Sequence, residues 1–359
     1  MDMRRTHRSS LWGLPRRLAA AALAVLLGAG TLGACGGDDD SGGSGGAEEP
    51  LRLGYFPNIT HATALVGVQR GIFAKHLGTA PRTSTFNAGP SAVEAVFSGA
   101  VDATFVGPNP TINAWARSHG KAIKVISGAA SGGASLVVKP EIKSVQDLRG
   151  KKIATPQLGN TQDVAVRYYL KSQGLTANKD GSGDVKIVPQ ENAQTLQTFA
   201  QGTIDGAWVP EPYASRLILE NKGKRLLNEA SLWPGGKFVV TNLIVRQDYA
   251  KEHPEQVKKL LQAVVEATDL INNNPEDAKK AVNEQLTKLS GKPLKQEILD
   301  ASFKEITFTV DPVASSLVQG ARHAEEVGLL EPVDLNGIYD LGPLNEVLKA
   351  SGKAQVSDK

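Results

Sequence analysis

The chain contains 359 residues, with 40 Lys and Arg, 37 Asp and Glu, and a formal net charge of +3. Residues 1–34 hold five basic residues and one acidic residue, so residues 35–359 hold 35 basic and 36 acidic residues and are nearly neutral. No basic stretch with interleaved aromatic residues occurs, which argues against nucleic-acid binding. The single cysteine excludes an intramolecular disulfide.

The N-terminal segment is typical of a secretory signal. Five arginines precede an apolar run at residues 18–27, and small residues follow it up to residue 34. The apolar run has about half of the roughly 20 residues that a membrane-spanning helix needs. We therefore predict that residues 1–34 are a signal peptide. It is exported by the general route or, because paired arginines occur, by the twin-arginine route.

Cys35 follows directly, at the end of the sequence LGAC. This sequence resembles the lipobox of bacterial lipoproteins, whose cysteine is acylated and becomes the mature N-terminus; the alternative is an incidental cysteine in a cleaved signal. Residues 36–50 are rich in Gly, Ser and acidic residues, which is typical of a flexible linker. We predict an extracytoplasmic protein that is anchored to the cell membrane by lipidated Cys35 and tethered by residues 35–50.

The folded part begins with alternating strands and helices. The pattern predicts a strand at 51–56, a loop at 57–61 and a helix at 62–76 that is broken by Gly71. It then predicts a strand at 83–89, a helix at 90–99 and a strand at 101–107. This βαβαβ order is typical of a parallel sheet.

The same order recurs about a hundred residues later in the chain. Strands are predicted at 151–156, 185–190 and 204–210, with helices at 162–174 and 192–202. A repeat of this length is too long for a solenoid and indicates two lobes of one design. The predicted fold class is therefore α/β, with two lobes that each contain a parallel-rich sheet.

Two extended apolar runs, at 134–140 and 238–246, follow the two copies and predict a two-strand hinge between the lobes. Helices predicted at 254–274 and 311–330 should pack on the first lobe. The predicted boundaries are 51–138 and 243–359 for lobe 1, and 139–242 for lobe 2. We expect a monomer.

Asp102 and Asp205 occupy equivalent positions in the two copies. They could form a catalytic carboxylate pair, but each lies just after a glycine that ends a helix, at the start of a strand. Turn chemistry therefore explains them better than catalysis.

Ligands of open parallel sheets bind beyond the carboxyl ends of the strands. In this chain those ends are followed by loops that carry many neutral polar side chains and hardly any Lys or Arg, and that face each other across a cleft. The candidate ligand-binding residues in these loops are Asn58, Thr60, His61, Ser91, Asn109, Gly159, Asn160, Thr161 and Gln162.

The turn Gly159-Asn160-Thr161-Gln162 opens an apolar helix. Backbone N–H groups at such a turn can hold an anion, as phosphate loops do, but the lysine of a nucleotide loop is missing. The turn therefore predicts a small anion, or else Asn160 is only a helix N-cap.

His61 and three further candidates, Trp208, Glu211 and Ser131, have two interpretations each. His61 is a ligand donor or a structural residue, since its segment has no relay partner for catalysis. Trp208 covers an aliphatic ligand tail or fills the core. Glu211 reads a ligand ammonium or pairs with a Lys or Arg across the cleft. Ser131 lies in residues 127–135, which are a flexible donor-rich loop at the lobe junction or a plain linker.

Four pieces of sequence carry a family resemblance: GYFPNITHA, GPSAVEAVFSGAVDATFVGPNP, TPQLGNTQD and DGAWVPEP. Together, from about residue 51 to about residue 330, they resemble the solute-binding lipoproteins of ABC importers for aliphatic sulfonates, taurine and nitrate. The resemblance implies the type II periplasmic-binding-protein fold, with ligand held between the lobes and the closed form presented to a membrane permease. It also implies ligand contacts at the loop 58–61, at Ser91 and at the turn 159–162. The missing cleft arginine departs from the family pattern.

An enzyme is the main rival class, because the same fold occurs in enzymes that make the thiamin pyrimidine. That chemistry needs an iron-binding cysteine cluster, whereas this chain has a single cysteine. The common catalytic motifs are also missing. We therefore expect no catalytic residues, no cofactor and no metal. The expected partners are a small anionic solute and an ABC importer permease. An aliphatic sulfonate is the favoured solute, with nitrate, taurine, bicarbonate or a thiamin-precursor pyrimidine as alternatives.

Overall fold

The computed structural model describes residues 49–359. The predicted signal peptide, Cys35 and nearly all of the linker lie outside the described residues. Within residues 49–359, no helix combines the length and the apolar character that a membrane span requires.

Eleven strands form two sheets within the described residues. The strands are β1 (Arg52–Tyr55), β2 (Arg82–Thr85), β3 (Ala103–Val106), β4 (Ile123–Gly132), β5 (Ala134–Val138), β6 (Lys152–Thr155), β7 (Lys186–Pro189), β8 (Gly206–Pro210), β9 (Lys224–Asn228), β10 (Val239–Arg246) and β11 (Ile306–Phe308).

Thirteen α-helices in the same part of the chain cover the sheets. They are α1 (Ala62–Gln69), α2 (Ile72–Leu77), α3 (Gly89–Phe97), α4 (Pro108–Arg117), α5 (Thr161–Ser172), α6 (Asn192–Ala200), α7 (Tyr213–Leu219), α8 (Gln247–Glu252), α9 (Pro254–Asn273), α10 (Pro275–Ser290), α11 (Gln296–Lys304), α12 (Ala314–Glu326) and α13 (Gly342–Ala350).

The strand order is β11-β4-β10-β3-β1-β2 in the first sheet and β7-β6-β8-β5-β9 in the second. The strands of the two predicted βαβαβ units pair in parallel, as expected. The strands added to them, β10 and β4 in the first sheet and β5 and β9 in the second, pair antiparallel. The α/β two-lobed prediction is therefore confirmed, but each sheet is mixed and not mostly parallel. The reason is that the added strands include those that enter from the other lobe.

The chain passes between the sheets twice. It leaves the first sheet after Gly132 and enters the second at Ala134, and it returns between Asn228 and Val239. Gly133 has a φ of +77°, and a Cβ atom there would lie 2.4 Å from the Ile306 side chain, so only glycine fits this crossing. If each strand is assigned to the lobe of its sheet, both crossings lie a few residues before the lobe boundaries expected at 138 and 242.

Residues 127–135 do not form a flexible loop. Residues up to Gly132 belong to β4, which is buried between β10 and β11, and those from Ala134 belong to β5. Their side chains are small because the packing is close: a Cβ atom on Gly128 would lie 2.2 Å from the carbonyl oxygen of Asp311. The composition reflects tight packing of a central strand and not mobility.

Both faces of each sheet carry a buried apolar cluster. The long C-terminal helices α9 and α10 pack on α1 and α2 of the first lobe, as expected. Two later helices differ from that expectation. Helix α11 packs on α7, and α12 packs on α4 and also on α5 of the second lobe, so both bridge the lobes.

Helix α4 was not predicted. Its N-terminus, Pro108-Asn109-Pro110, reads as a loop, yet proline suits the first turn of a helix because that turn needs no backbone donor.

Asp102 and Asp205 have the structural role that the sequence indicated. An Asp102 carboxyl oxygen accepts the backbone N–H of Arg52 at 2.9 Å, and an Asp205 carboxyl oxygen accepts that of Lys152 at 2.9 Å. Each aspartate therefore ties the start of one strand to its neighbour, in the same way in both lobes.

Candidate functional site

A cavity lies between the two sheets, at the carboxyl ends of their parallel strands. The centre of a water molecule can move within about 20 Å³ of it, so in this conformation the cavity has room for about one water molecule, and a larger solute requires the lobes to lie further apart. Its lining residues are Phe56, Asn58, Thr60, His61, Asn87, Gly107, Pro156, Asn160, Thr161, Gln162, Asn192, Pro210 and Val240.

The first lobe contributes the loop after β1. Asn58 is extended, with φ −142° and ψ 164°, and a short 3-10 turn at Ile59–His61 follows it. The Thr60 hydroxyl donates to the Asn58 side-chain oxygen at 2.7 Å. Because that oxygen is occupied, Asn58 has its amide NH₂ group left to donate into the cavity.

His61 is a neutral donor in this loop. Its Nδ1 accepts the backbone N–H of Phe56 at 3.2 Å, which places the ring proton on Nε2. The imidazole stacks on the Phe56 ring with centroids 4.3 Å apart. Burial lowers the pKa of His61 to about 3, so the ring carries no charge at neutral pH.

The second lobe contributes the N-terminus of α5. The Asn160 side-chain NH₂ donates to the Gln162 side-chain oxygen at 2.7 Å, and the Asn160 oxygen accepts the backbone N–H of Gly89 across the cleft at 3.3 Å. The hydroxyl of Thr161 is buried and has no hydrogen-bond partner. A buried polar group without a partner costs free energy, and a ligand oxygen at this position would remove that cost.

A buried ion pair supports this helix start. Asp163 accepts the backbone N–H of Gly159 at 3.0 Å and pairs with Arg167 one turn later, where the closest atoms lie 3.2 Å apart. Both side chains are almost fully buried. The negative charge in the first turn of α5 is therefore balanced within the second lobe and need not repel an anion.

Two asparagines of the cavity were missed by the sequence analysis. The Asn87 side chain donates to the Pro156 carbonyl at 3.2 Å and accepts the backbone N–H of Asn192 at 3.2 Å, so it links the lobes. The side-chain oxygen of Asn192 is buried without a partner. Asn192 lies at a strand end that the sequence had marked as part of the ligand edge, whereas Asn87 was placed inside a strand that in fact ends at Thr85.

The lining is neutral but not uniform. None of the thirteen lining residues is Lys, Arg, Asp or Glu. Eight are polar, and the side chains of Phe56, Pro156, Pro210 and Val240 supply an apolar wall. The arrangement can hold a small oxyanion with N–H and O–H donors and the N-terminus of α5, and it can cover a short apolar tail.

Six of the twelve candidate ligand-binding residues line this cavity: Asn58, Thr60, His61, Asn160, Thr161 and Gln162. The other six lie outside its lining. Three of these have other hydrogen-bond partners, and the partner of Ser91 belongs to the opposite lobe. Ser91 is exposed and donates to the Gln157 side chain at 3.3 Å. Asn109 donates to the Gly320 carbonyl at 3.0 Å, and the Ser131 hydroxyl accepts the backbone N–H of Phe238 at 3.2 Å.

Gly159, Trp208 and Glu211 are also outside the lining. Gly159 has a φ of +75° and shapes the turn, while its N–H is taken by Asp163. Trp208 is a core residue whose indole N–H donates to the Glu229 carboxyl at 2.7 Å. It therefore does not cover a ligand tail in this structure.

Glu211 is buried, and its carboxyl group is turned away from the cavity lining. One oxygen accepts the backbone N–H of Ser215 at 3.0 Å and the Ser302 hydroxyl at 3.1 Å, and Arg225 lies 3.5 Å from the other oxygen. Burial raises the pKa of Glu211. The expected pairing with a basic residue exists, but Arg225 lies on β9 of the sheet whose strand β8 ends just before Glu211, and so not in the opposite lobe.

Among residues 49–359, no group of three or more His, Cys, Asp and Glu side chains is placed to hold a metal ion. The cavity also brings together no nucleophile, base and orienting acid.

Comparison with known proteins gives a family and a fold. The profile of the NMT1-like family matches residues 44–285. The taurine-binding periplasmic protein of Escherichia coli (strain K12) is 30% identical over 223 residues, which cover 62% of this chain and 67% of that protein. The bicarbonate-binding protein CmpA of Synechococcus elongatus is 25% identical over 245 residues, which cover 60% of this chain and 52% of that protein.

Two solved structures share the fold. The alkanesulfonate-binding protein SsuA from Xanthomonas axonopodis pv. citri, bound to MOPS, superposes with a TM-score of 0.66 at 20% identity, covering 79% of this chain and 94% of that one. The periplasmic nitrate-binding protein NrtA from Synechocystis PCC 6803 gives a TM-score of 0.71 at 15% identity, covering 84% and 88%. These similarities confirm the periplasmic-binding-protein fold.

Proposed function

Because the chain belongs to the NMT1-like family, we propose that it is the solute-binding receptor of an ABC importer and that it captures a small anion between its lobes. The named relatives bind taurine, bicarbonate and nitrate, which supports a small anion as the solute class. They are binding proteins, which supports capture and not turnover.

The favoured anion is an aliphatic sulfonate. One observation carries this choice: neutral donors such as His61 and Thr161 share the cavity with an apolar wall that includes Phe56 and Val240. A sulfonate is weakly basic, so N–H and O–H donors suffice without an arginine, and its alkyl chain fits the wall. An inorganic anion such as nitrate or bicarbonate would leave the wall without a matching group.

Capture follows from closure of the lobes. The contacts from Asn160 to Gly89 and from Asn87 to Pro156 join the two edges around the cavity. A ligand that touches both edges gains contacts only in the closed form, so it shifts the population toward that form. The closed form is the one that the importer permease should recognise.

The remaining features of the receptor are also part of the proposal. A lipid on Cys35 and the linker that follows would hold a monomeric receptor at the outer face of the cell membrane, within reach of its permease. Metabolic labelling with a radioactive fatty acid, compared between the parent and Cys35→Ser, tests the anchor. Equal labelling of both proteins would refute it.

A thermal-shift screen tests the solute. The purified protein is heated with short and longer alkanesulfonates, taurine, nitrate, sulfate, bicarbonate and a thiamin-precursor pyrimidine. A ligand at a hundred times its dissociation constant should add about 2.7 kcal/mol to the free energy of unfolding. We expect a shift with alkanesulfonates. A shift with only nitrate, bicarbonate or the pyrimidine would show that the sulfonate assignment is wrong.

A further inference from the structure

Three acidic residues adjoin the lining of the cavity in sequence without being part of it. Asp163 follows Gln162, Glu191 precedes Asn192, and Glu211 follows Pro210. None of the three lines the cavity.

The contacts of Asp163 and Glu211 keep their carboxyl groups from serving a ligand. The Asp163 carboxyl is shared among the Thr155 hydroxyl at 3.1 Å, the Gly159 backbone N–H and Arg167. Glu191 is exposed at the start of α6.

Glu211 is fully occupied as well. Its two carboxyl oxygens face Ser215, Ser302 and Arg225. These groups lie on α7, on α11 and on β9, and together they hold the carboxyl on the side of α11. Turning it into the cavity would leave the Arg225 guanidinium with one carboxylate fewer and would break two hydrogen bonds.

The wall that remains offers no counter-charge to a cation. A solute with an ammonium group would bury that group among neutral side chains, and a buried charge without a partner is strongly unfavourable. A methyl end would instead contact the apolar wall. A hydroxyl end could donate to the Asn192 side-chain oxygen, which is buried and has no partner.

We propose that the cavity selects sulfonates that have no cationic end, so that it binds alkane- and hydroxyalkanesulfonates and rejects the aminosulfonate of the same length. The inference rests on the proposed function, and it distinguishes this chain from its taurine-binding relative.

Three ligands of equal length test the inference by calorimetry on the purified protein: ethanesulfonate, 2-hydroxyethanesulfonate and 2-aminoethanesulfonate, which is taurine. We expect the first two to bind and taurine to bind at least about 100-fold more weakly, since it alone carries the unpaired charge. Taurine binding within tenfold of ethanesulfonate would overturn the inference and leave the sulfonate receptor intact. Nitrate and bicarbonate are measured in the same way, and binding of either one with none of the three sulfonates would instead overturn the sulfonate assignment of the proposed function.

A charge placed in the cavity should reverse the preference. Asn192→Asp keeps the shape of the side chain and adds a carboxylate, so it should lower the affinity for ethanesulfonate and raise the ratio of taurine to ethanesulfonate affinity at least tenfold. Asn336→Asp, which adds the same charge at an exposed position outside the cavity lining, is the matched control and should leave the ratio unchanged. A ratio that stays constant in a folded Asn192→Asp protein would contradict the inference.

Discussion

The Thr161 hydroxyl is buried and has no hydrogen-bond partner among the described residues, so it is free to bond a ligand. Replacing Thr161 by valine keeps the shape and removes only the unpaired group. We expect Thr161→Val to weaken ligand binding roughly tenfold while the free energy of unfolding of the empty protein stays constant or rises, since the loss of one hydrogen bond is worth about 1–2 kcal/mol. Calorimetry and urea unfolding measure the two effects.

A second buried threonine provides the control. The Thr111 hydroxyl donates to the Gly107 carbonyl at 2.9 Å and does not line the cavity. Thr111→Val should therefore lower stability and leave the affinity unchanged. Equal affinities of Thr161→Val and the parent would show that this hydroxyl does not contact the ligand.

The sequence could predict residues at strand ends but not the direction of their side chains. Thr60 and Thr161 were predicted because they follow strands at the expected edge, and both line the cavity. Glu211 follows a strand in the same way but points to Ser302, a residue 91 positions later in the chain. Long-range partners of this kind leave no signal in local sequence, which is why Glu211 kept two interpretations.

Helix α5 depends on the pair of Asp163 and Arg167, which lie one turn apart inside the second lobe. Asp163→Asn should lower the free energy of unfolding by about 3–5 kcal/mol, because it leaves the Arg167 guanidinium buried without its charge partner. Chemical denaturation measures the effect. The partly exposed pair of Arg216 on α7 and Glu220 just after it has the same spacing, and Glu220→Gln should cost less than about 1 kcal/mol. Similar losses in both variants would contradict the role of burial.

At the level of elements, periodic segments were predictable and central strands of unusual composition were not. The helix predicted at 254–274 agrees with α9 to within one residue. Strand β4 was read as a loop because its Ser, Gly and Ala residues usually mark loops. Here the approach of the 311–312 backbone to Gly128 requires small side chains, so tertiary packing overrides the local preference.

At the scale of the whole molecule, Glu229 is buried where the chain returns from the second sheet to the first. The indole N–H groups of Trp208 and Trp233 donate to its carboxyl group, and burial raises its pKa from 4.5 to about 7. Between these two pH values the folded protein holds a proton that the unfolded chain has released. The protonated Glu229 carboxyl therefore contributes fully to the free energy of unfolding below about pH 4.5. This contribution is lost as the pH rises to about 7, which lowers the free energy of unfolding by about 3 kcal/mol.

Glu229→Gln tests this dependence. The variant keeps an acceptor for the indoles and cannot ionise, so its free energy of unfolding relative to the parent should rise between pH 4.5 and pH 7 and stay level above. Burial also lowers the pKa values of His61 and His323 to about 3 and 4, so parent and variant both lose folding stability as the pH falls below 6.5. Taking the difference between variant and parent removes this shared effect. Parallel pH profiles of parent and variant would contradict burial of an ionisable Glu229.

The duplicated βαβαβ pattern allowed the two-lobed architecture to be predicted from the sequence, because each copy specifies one sheet. The sequence pattern could not predict that helices α11 and α12 contact both lobes. They contact the second lobe through residues such as His323, whose ring stacks on Tyr168 with centroids 3.5 Å apart, and nothing in the local sequence marks such a contact.

The neutral lining of the cavity also determines how capture should respond to salt. Steering of an anion over long distances requires charged groups near the site, and dissolved ions screen it beyond about 10 Å at 0.1 M ionic strength. Because no lining residue is Lys or Arg, electrostatic steering adds little to the association rate, and salt has little to screen. The rate at which an anion enters the cavity should therefore change little between low and high salt, which rapid-mixing measurements at two ionic strengths would check.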